Sequence, residues 1–400
     1  MRKACRVWGV VCWLFCAVLT GCQPGGKGND VPDDWGAVEK TARGSLVRFY
    51  MDGSDARANA WFDGYAAEQL KQRYGITLVR VPIGSAVVVA RLLAEKTNSQ
   101  GGDIDLFCIH GGDFGKARQE GVLFGPMGGK LPNFVRYVDK RAAAYDFGQP
   151  VEGDEVPLGW MQLVFRYAPA RVSDPPKTLL DLIEWAKTHP GRFTYPAPPD
   201  STGSAFLRQL LCVLAGGPKA RLSEWSESFY EKEAPKVWGA LQQMRPSLWS
   251  GGTRYPADVA ELDALFDAGQ IDIALRYGPP YAPGNAGEGR SQSFVLAGGT
   301  IGNMHFMAIP RNASNKAGAL VVANFLLSPE AQFSKFLPEN WGDCPAIDMD
   351  ALEKEDWKRF DSVDLGEGGV PPRVLREAGL PDIAPEYGRE LNAGWVVNGR

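Results

Sequence analysis

Histidine is scarce in this chain. His110, His189 and His305 are the only three among 400 residues, and they lie far apart. General-base catalysis by histidine is therefore open but poorly marked. The sequence has no G-x-x-x-x-G-K-[ST] loop: GGDFGKA, from Gly111 to Ala117, has the wrong spacing and no hydroxyl after Lys116. It also lacks G-x-S-x-G, H-E-x-x-H and a G-x-G-x-x-G opening a helix. These absences remove the sequence marks of P-loop phosphoryl transfer, serine hydrolases, zincins and dinucleotide binding. A cationic surplus is missing too, since 43 Lys and Arg face 47 Asp and Glu for a net charge of −4. The absence of a basic stripe argues against nucleic acid as a partner. Beyond Cys22 the cysteines are Cys108, Cys212 and Cys344, an odd number at long spacings that gives neither a disulfide framework nor a zinc pattern. Cys108 in IDLFCIH and Cys212 in FLRQLLCVLAG read as core residues. After the amino terminus no apolar run approaches membrane-spanning length.

The amino terminus is different. Arg2, Lys3 and Arg6 precede a mostly apolar run, Val7 to Val18, and small residues follow, which is the pattern of an export signal. Leu19-Thr20-Gly21-Cys22 resembles the lipobox of bacterial lipoproteins. That resemblance implies cleavage before Cys22, acylation of Cys22 and a firm hold on a membrane surface. Losing Arg2, Lys3 and Arg6 would leave the chain more acidic still. The expected organisation is a signal peptide at 1–21 and a lipid anchor with flexible tether at 22–44. Lobe 1 is expected at 45–155 with 292–345, lobe 2 at 156–291, and a surface-packed C-terminal extension at 346–400.

Strand-like and helix-like segments alternate, so the fold class is α/β with mainly parallel sheets flanked by helices. SLVRFYMDGS, ITLVRVPI, DIDLFCIHGGDF, PLGWMQLVFRY, FTYPAPP, IDIALRYGPP and HFMAIP read as strands. ARANAWFDGYAAEQLKQRYG, SAVVVARLLAEKTN and TLLDLIEWAKTHPG read as helices, and NKAGALVVANFLLSPEAQFSKFL as two helices split at Ser328-Pro329. Asp52, Asp55, Asp113 and Asp200 fall at apparent strand ends, where α/β proteins bind ligands.

Five segments carry a family resemblance. They are AAEQLKQRYGITL, DIDLFCIHGGDFGKARQEGVLFGP, GRFTYPAPPDSTGSAFLRQ, GQIDIALRYGPPYA and GTIGNMHFMAIPRNASNKAGALVVANFLLSPEAQ. Over roughly residues 45–345 the chain resembles bacterial extracellular solute-binding proteins of ABC importers. It resembles the type II group that carries thiamine, polyamines and iron, and within it the YnjB-like lipoproteins. The resemblance implies two lobes joined by crossover segments, hinge closure on a solute, and delivery to an ABC permease with its ATPase. It also implies no enzymatic activity and no cofactor, and a monomer facing the periplasm or cell exterior.

In that fold the loop DSTGS opens onto the cleft, so Asp200, Ser201, Thr202 and Ser204 become candidate ligands, with Gly203 permitting close approach. The first lobe adds Asp52, Ser54, Asn59, Trp61, His110, Asp113 and Phe114. The crossovers add Trp160, Gln162, Thr300, Asn303 and His305, and the second lobe Tyr195, Arg276, Tyr277 and Tyr281. Each of these residue types also serves plain structural duty. Carboxylates with aromatic faces suit organic cations, and they suit sugars as well; converging phenolates would suit ferric ion. The residue set leans to a small organic solute, a cation among those it fits. Two other readings stay open: an extracytoplasmic hydrolase using Asp52, Asp113 or Asp200, and a lipoprotein that senses without transporting.

Overall fold

The computed structural model describes residues 31–96, 101–217, 222–278, 291–366 and 368–399. Tyr281 and Cys22 lie outside the described residues. The strands are β1 (Leu46–Met51), β2 (Thr77–Pro82), β3 (Leu106–Ile109), β4 (Leu123–Phe124), β5 (Tyr145–Asp146), β6 (Gln149–Pro150) and β7 (Val156–Tyr167). β8 (Ile273–Gly278), β9 (Gln292–Phe294), β10 (Thr300–Pro310), β11 (Cys344–Pro345) and β12 (Gly379–Pro381) complete the set.

One mixed sheet dominates, with the path β11-β7-β10-β3-β1-β2. β1 pairs in parallel with β2 (Met51 opposite Pro82) and with β3 (Tyr50 opposite Phe107). Parallel neighbours of this kind need helical crossovers, which are Ala56–Tyr74 between β1 and β2 and Ser85–Glu95 between β2 and β3. The first of these helices carries a π turn at Phe62–Ala66. β10 runs antiparallel to both β3 and β7.

β7 and β10 are the frame on which everything else hangs. Val156 and Leu158 of β7 lie in a first apolar core with Phe49, Phe62 and Phe107. Leu163 and Phe165 of the same strand lie in a second core with Phe193, Tyr195 and Phe206. β10 makes the same passage in reverse, from Ile301 in the second core to Phe306 and Ile309 in the first. Two long antiparallel strands thus serve both cores, and they are paired to each other from Gln162 opposite Gly302 to Val156 opposite Met307.

The expected strand FTYPAPP is reduced to a single bridge between Phe193 and Ile273. Pro196, Pro198 and Pro199 remove the backbone donors a ladder would need. The expected helix break at Ser328-Pro329 is present: Ser328 Oγ accepts from Ala331 N at 3.2 Å and Pro329 takes the first helical position. The C-terminal segment does more than cover a surface, because Tyr387, Leu391 and Trp395 are buried in the second core.

Candidate functional site

Because β1, β2 and β3 are parallel and adjacent, their C-terminal ends lie along one edge, and the loops that follow meet there. Asp52 and Ser54 follow β1, Gly84 and Ser85 follow β2, and His110 to Asp113 follow β3. Asp113 Oδ2 accepts from Ser85 Oγ at 2.5 Å. Asp52 Oδ2 lies 4.0 Å from where a Cβ on Gly84 would stand, and its Oδ1 accepts from Ser54 N at 2.7 Å. Among the described residues neither Asp52 nor Asp113 enters an ion pair.

His110 takes extended backbone before the helix Gly111–Gln119 and makes no side-chain cap. It is exposed by surface area, yet the mass of protein around it lowers its pKa below the usual 6.5. Asp113 and Asp52 oppose that shift while His305 and Arg208 reinforce it. Near pH 7 its imidazole is therefore neutral.

The DSTGS loop is mostly spent on structure. Asp200 caps the helix Ser201–Leu214, accepting from Thr202 N at 2.8 Å and Gly203 N at 3.0 Å. Thr202 is buried and its Oγ1 accepts from Tyr277 N at 3.1 Å. Ser204 Oγ donates to Asn392 Oδ1 at 2.9 Å. Gly203 answers a backbone demand, since a Cβ there would fall 2.1 Å from the Pro196 carbonyl oxygen. Ser201 alone of these hydroxyl residues is exposed.

The remaining expected residues divide the same way. Trp61 is buried, donating to Ser334 Oγ at 3.1 Å, and Asn59 donates to Gly53 O at 2.8 Å. Tyr195 is fully buried, accepting from Trp395 Nε1 at 3.0 Å, and burial holds its phenol far above the ordinary range. Tyr277 is buried and donates to Asp382 Oδ2 at 2.8 Å. Arg276 is paired with Asp263. On the crossover strands Trp160 donates to Gln162 at 2.9 Å, and Gln162 donates to Thr300 at 2.9 Å. Asn303 donates to Asp146 Oδ1 at 2.6 Å, and His305 Nε2 lies 3.0 Å from Asp343 Oδ2. Asp52, Ser54, His110 and Asp113 come together at the strand ends; Trp61 and Tyr195 are drawn into cores.

A separate cavity of about 1280 Å³ lies beside the crossover strands, bounded by Trp160, Asn303, Met304, Met349, Leu380 and Asp382 among others. Asp52, His110, Asp113 and Asp200 do not line it, so it is distinct from the group of residues at the strand ends. The thiols offer little chemistry: burial pushes Cys108 up to about 12 and Cys212 up to about 11. Among the described residues no cluster of side chains could hold a metal ion, and no helix is long and apolar enough to cross a membrane.

Comparison with known proteins fits this geometry. Residues 65–359 match the family model described as bacterial extracellular solute-binding protein. The chain belongs to that family. Protein YnjB of Escherichia coli (strain K12) is 35% identical over 371 residues, covering 91% of each chain. A protein from Bordetella parapertussis described as an extracellular solute-binding protein superposes with a TM-score of 0.64 at 14% identity, over 88% of this chain and 98% of that one. The spermidine/putrescine substrate-binding protein of Streptococcus pneumoniae gives 0.62 at 13% identity, over 89% and 100%. The fold is therefore the two-lobed type II periplasmic-binding-protein fold.

Sequence reading did not name Ser85, which also sits at a strand end and donates to Asp113. The small-residue pair Gly84-Ser85 after ITLVRVPI was the available signal. It also missed Asp146, Phe147, Arg208 and Asp382, which meet only through tertiary contacts.

Proposed function

We propose that this protein captures a small organic cation in the strand-end cleft and passes it to a membrane permease, while acylated Cys22 tethers it to the membrane outside the cytoplasm. The observation that carries the solute class is the pair of carboxylates, Asp52 and Asp113, without an ion pair among the described residues and flanking a neutral His110. A neutral imidazole does not compensate them, so an ammonium group entering the cleft would. The family membership supports capture, and the spermidine/putrescine specificity of one structural neighbour agrees with a cationic solute. Arg57 and Arg276 do not argue for an anion, since Asp55 and Asp263 already stand beside them.

The test is calorimetric titration with spermidine, putrescine, choline and thiamin, then repetition with Asp113→Asn and Asp52→Asn. A charge-assisted hydrogen bond is worth about 1.5–3 kcal/mol, so each substitution should weaken the best amine roughly 10–100-fold without lowering the melting temperature. Binding of a neutral sugar or an organic anion in preference to every amine would overturn the assignment.

A further inference from the structure

The last 50 or so residues do something that the two crossover strands alone do not. After β11 the chain packs Ile347, Phe360, Val370 and Leu375 into a third apolar cluster with Tyr137 and Phe336, which extend from elements of the first core. It then adds β12 in parallel to the start of β10. Finally it buries Ile383, Tyr387, Leu391 and Trp395 in the second core. Beside β7 and β10, this is a third connection between the cores.

Its midpoint is clamped. Asp382 is buried and receives Arg208 through two bonds, Nε to Oδ1 at 2.8 Å and Nη2 to Oδ2 at 3.0 Å. Tyr277 donates to the same carboxylate, and Asp382 N donates to Gly302 O at 3.1 Å. The Arg208 guanidinium lies 5.4 Å from the Tyr277 ring centre and 5.5 Å from that of Phe147. Phe147 comes from the other side, at the tip of the β5–β6 hairpin whose neighbours Ala143 and Val151 belong to the first core. Two more approaches join the sides at this point. A Cβ on Gly148, at φ 76°, would fall 2.5 Å from the Ser223 carbonyl oxygen, and one on Gly112 would lie 3.7 Å from Pro385 Cβ.

Phe147 is held at φ 43°, a left-handed conformation that a bulky residue rarely adopts. Glycine would sit there at no cost, so the strain is retained for the ring.

We propose that the C-terminal segment is an interlobe strap, and that the stack of Phe147 on Arg208, with Asp382 anchoring Arg208, is the clasp that limits how far the lobes separate. Closure of a two-lobed binding protein is a hinge motion. A strap anchored in both lobes sets the free-energy difference between arrangements without touching solute, which makes Phe147 and Asp382 positioning residues.

Phe147→Gly tests this, because it removes the ring and relieves the backbone. Small-angle X-ray scattering of the solute-free protein should show a larger radius of gyration than wild type. Amide exchange across hairpin 145–150 and at Gly111 should speed up about tenfold, the loss expected for one largely desolvated cation–π contact. The circular dichroism spectrum and melting temperature should be unchanged, which a merely structural role would not give. If Phe147→Gly folds poorly, Phe147→Asn, which tolerates the same φ, takes its place. Scattering superimposable on wild type together with exchange within twofold would overturn the proposal.

Discussion

Lys335→Met is expected to lower the unfolding free energy by about 3–5 kcal/mol, the usual cost of breaking a buried ion pair from one side. Lys335 and Asp343 are both fully buried, with Nζ 2.6 Å from Oδ2. Lys335 also donates to the Cys344 carbonyl at 2.7 Å, and His305 Nε2 reaches the same carboxylate from β10. Burial alone would raise the Asp343 pKa, but His305 and Lys335 outweigh it and hold the carboxyl below its usual range. Burial lowers Lys335 against the pull of Asp343. Methionine fills much of the lysine volume, so the loss measured is electrostatic and not a cavity. Urea unfolding of the two proteins at pH 7 checks it. A difference under about 1 kcal/mol would mean that His305 alone compensates the carboxylate.

The second large effect is a fall in stability as pH rises from 5 to 8. Burial raises Asp146 from 3.8 to about 7, against the donors Asn303 and Gly111. Burial likewise raises Glu155 well above its ordinary value, with Asp146 and Asp154 adding to the shift. Neither Glu155 oxygen has a hydrogen-bond partner among the described residues. A carboxyl whose folded pKa is raised stays protonated in the native state after the unfolded chain has lost its proton. Its contribution is complete in acid and lost as pH climbs through the folded pKa. For Asp146 the change amounts to about 3 kcal/mol between pH 4 and 7. His110 acts the other way below its ordinary 6.5, because burial keeps it neutral while the unfolded chain takes up a proton. Two carboxyls against one imidazole leave the carboxyls dominant. Glu155→Gln should therefore stabilise the protein at pH 8 by about 2 kcal/mol or more, and by less at pH 5. Equal effects at both values would show that Glu155 is ionised in the native state.

How much of this could be read from the sequence depends on the range of the interactions. Elements with local signals were legible: β1 to β3, their crossover helices, and the break at Ser328-Pro329 all carry periodicity or caps within a few residues. FTYPAPP misled because its aromatic and β-branched residues pack as a strand would, while its prolines forbid the ladder. The helix Glu227–Met244 was not legible, since Pro235 interrupts its pattern. In the site, Asp52, His110 and Asp113 were accessible to sequence reading because strand ends are local features. The spending of Thr202 on Tyr277, of Ser204 on Asn392 and of Tyr195 on Trp395 was not. Each depends on a partner 75 or more residues away.

We propose that the site formed by Asp52, His110 and Asp113 receives a small organic cation. Native mass spectrometry of the protein purified without denaturation tests it most directly, because a solute captured in the cell is released on unfolding and identified by mass. The expected mass is that of a small amine or quaternary ammonium compound, lost from the Asp113→Asn variant. An organic anion in the wild-type protein, or an amine retained undiminished by Asp113→Asn, would contradict it.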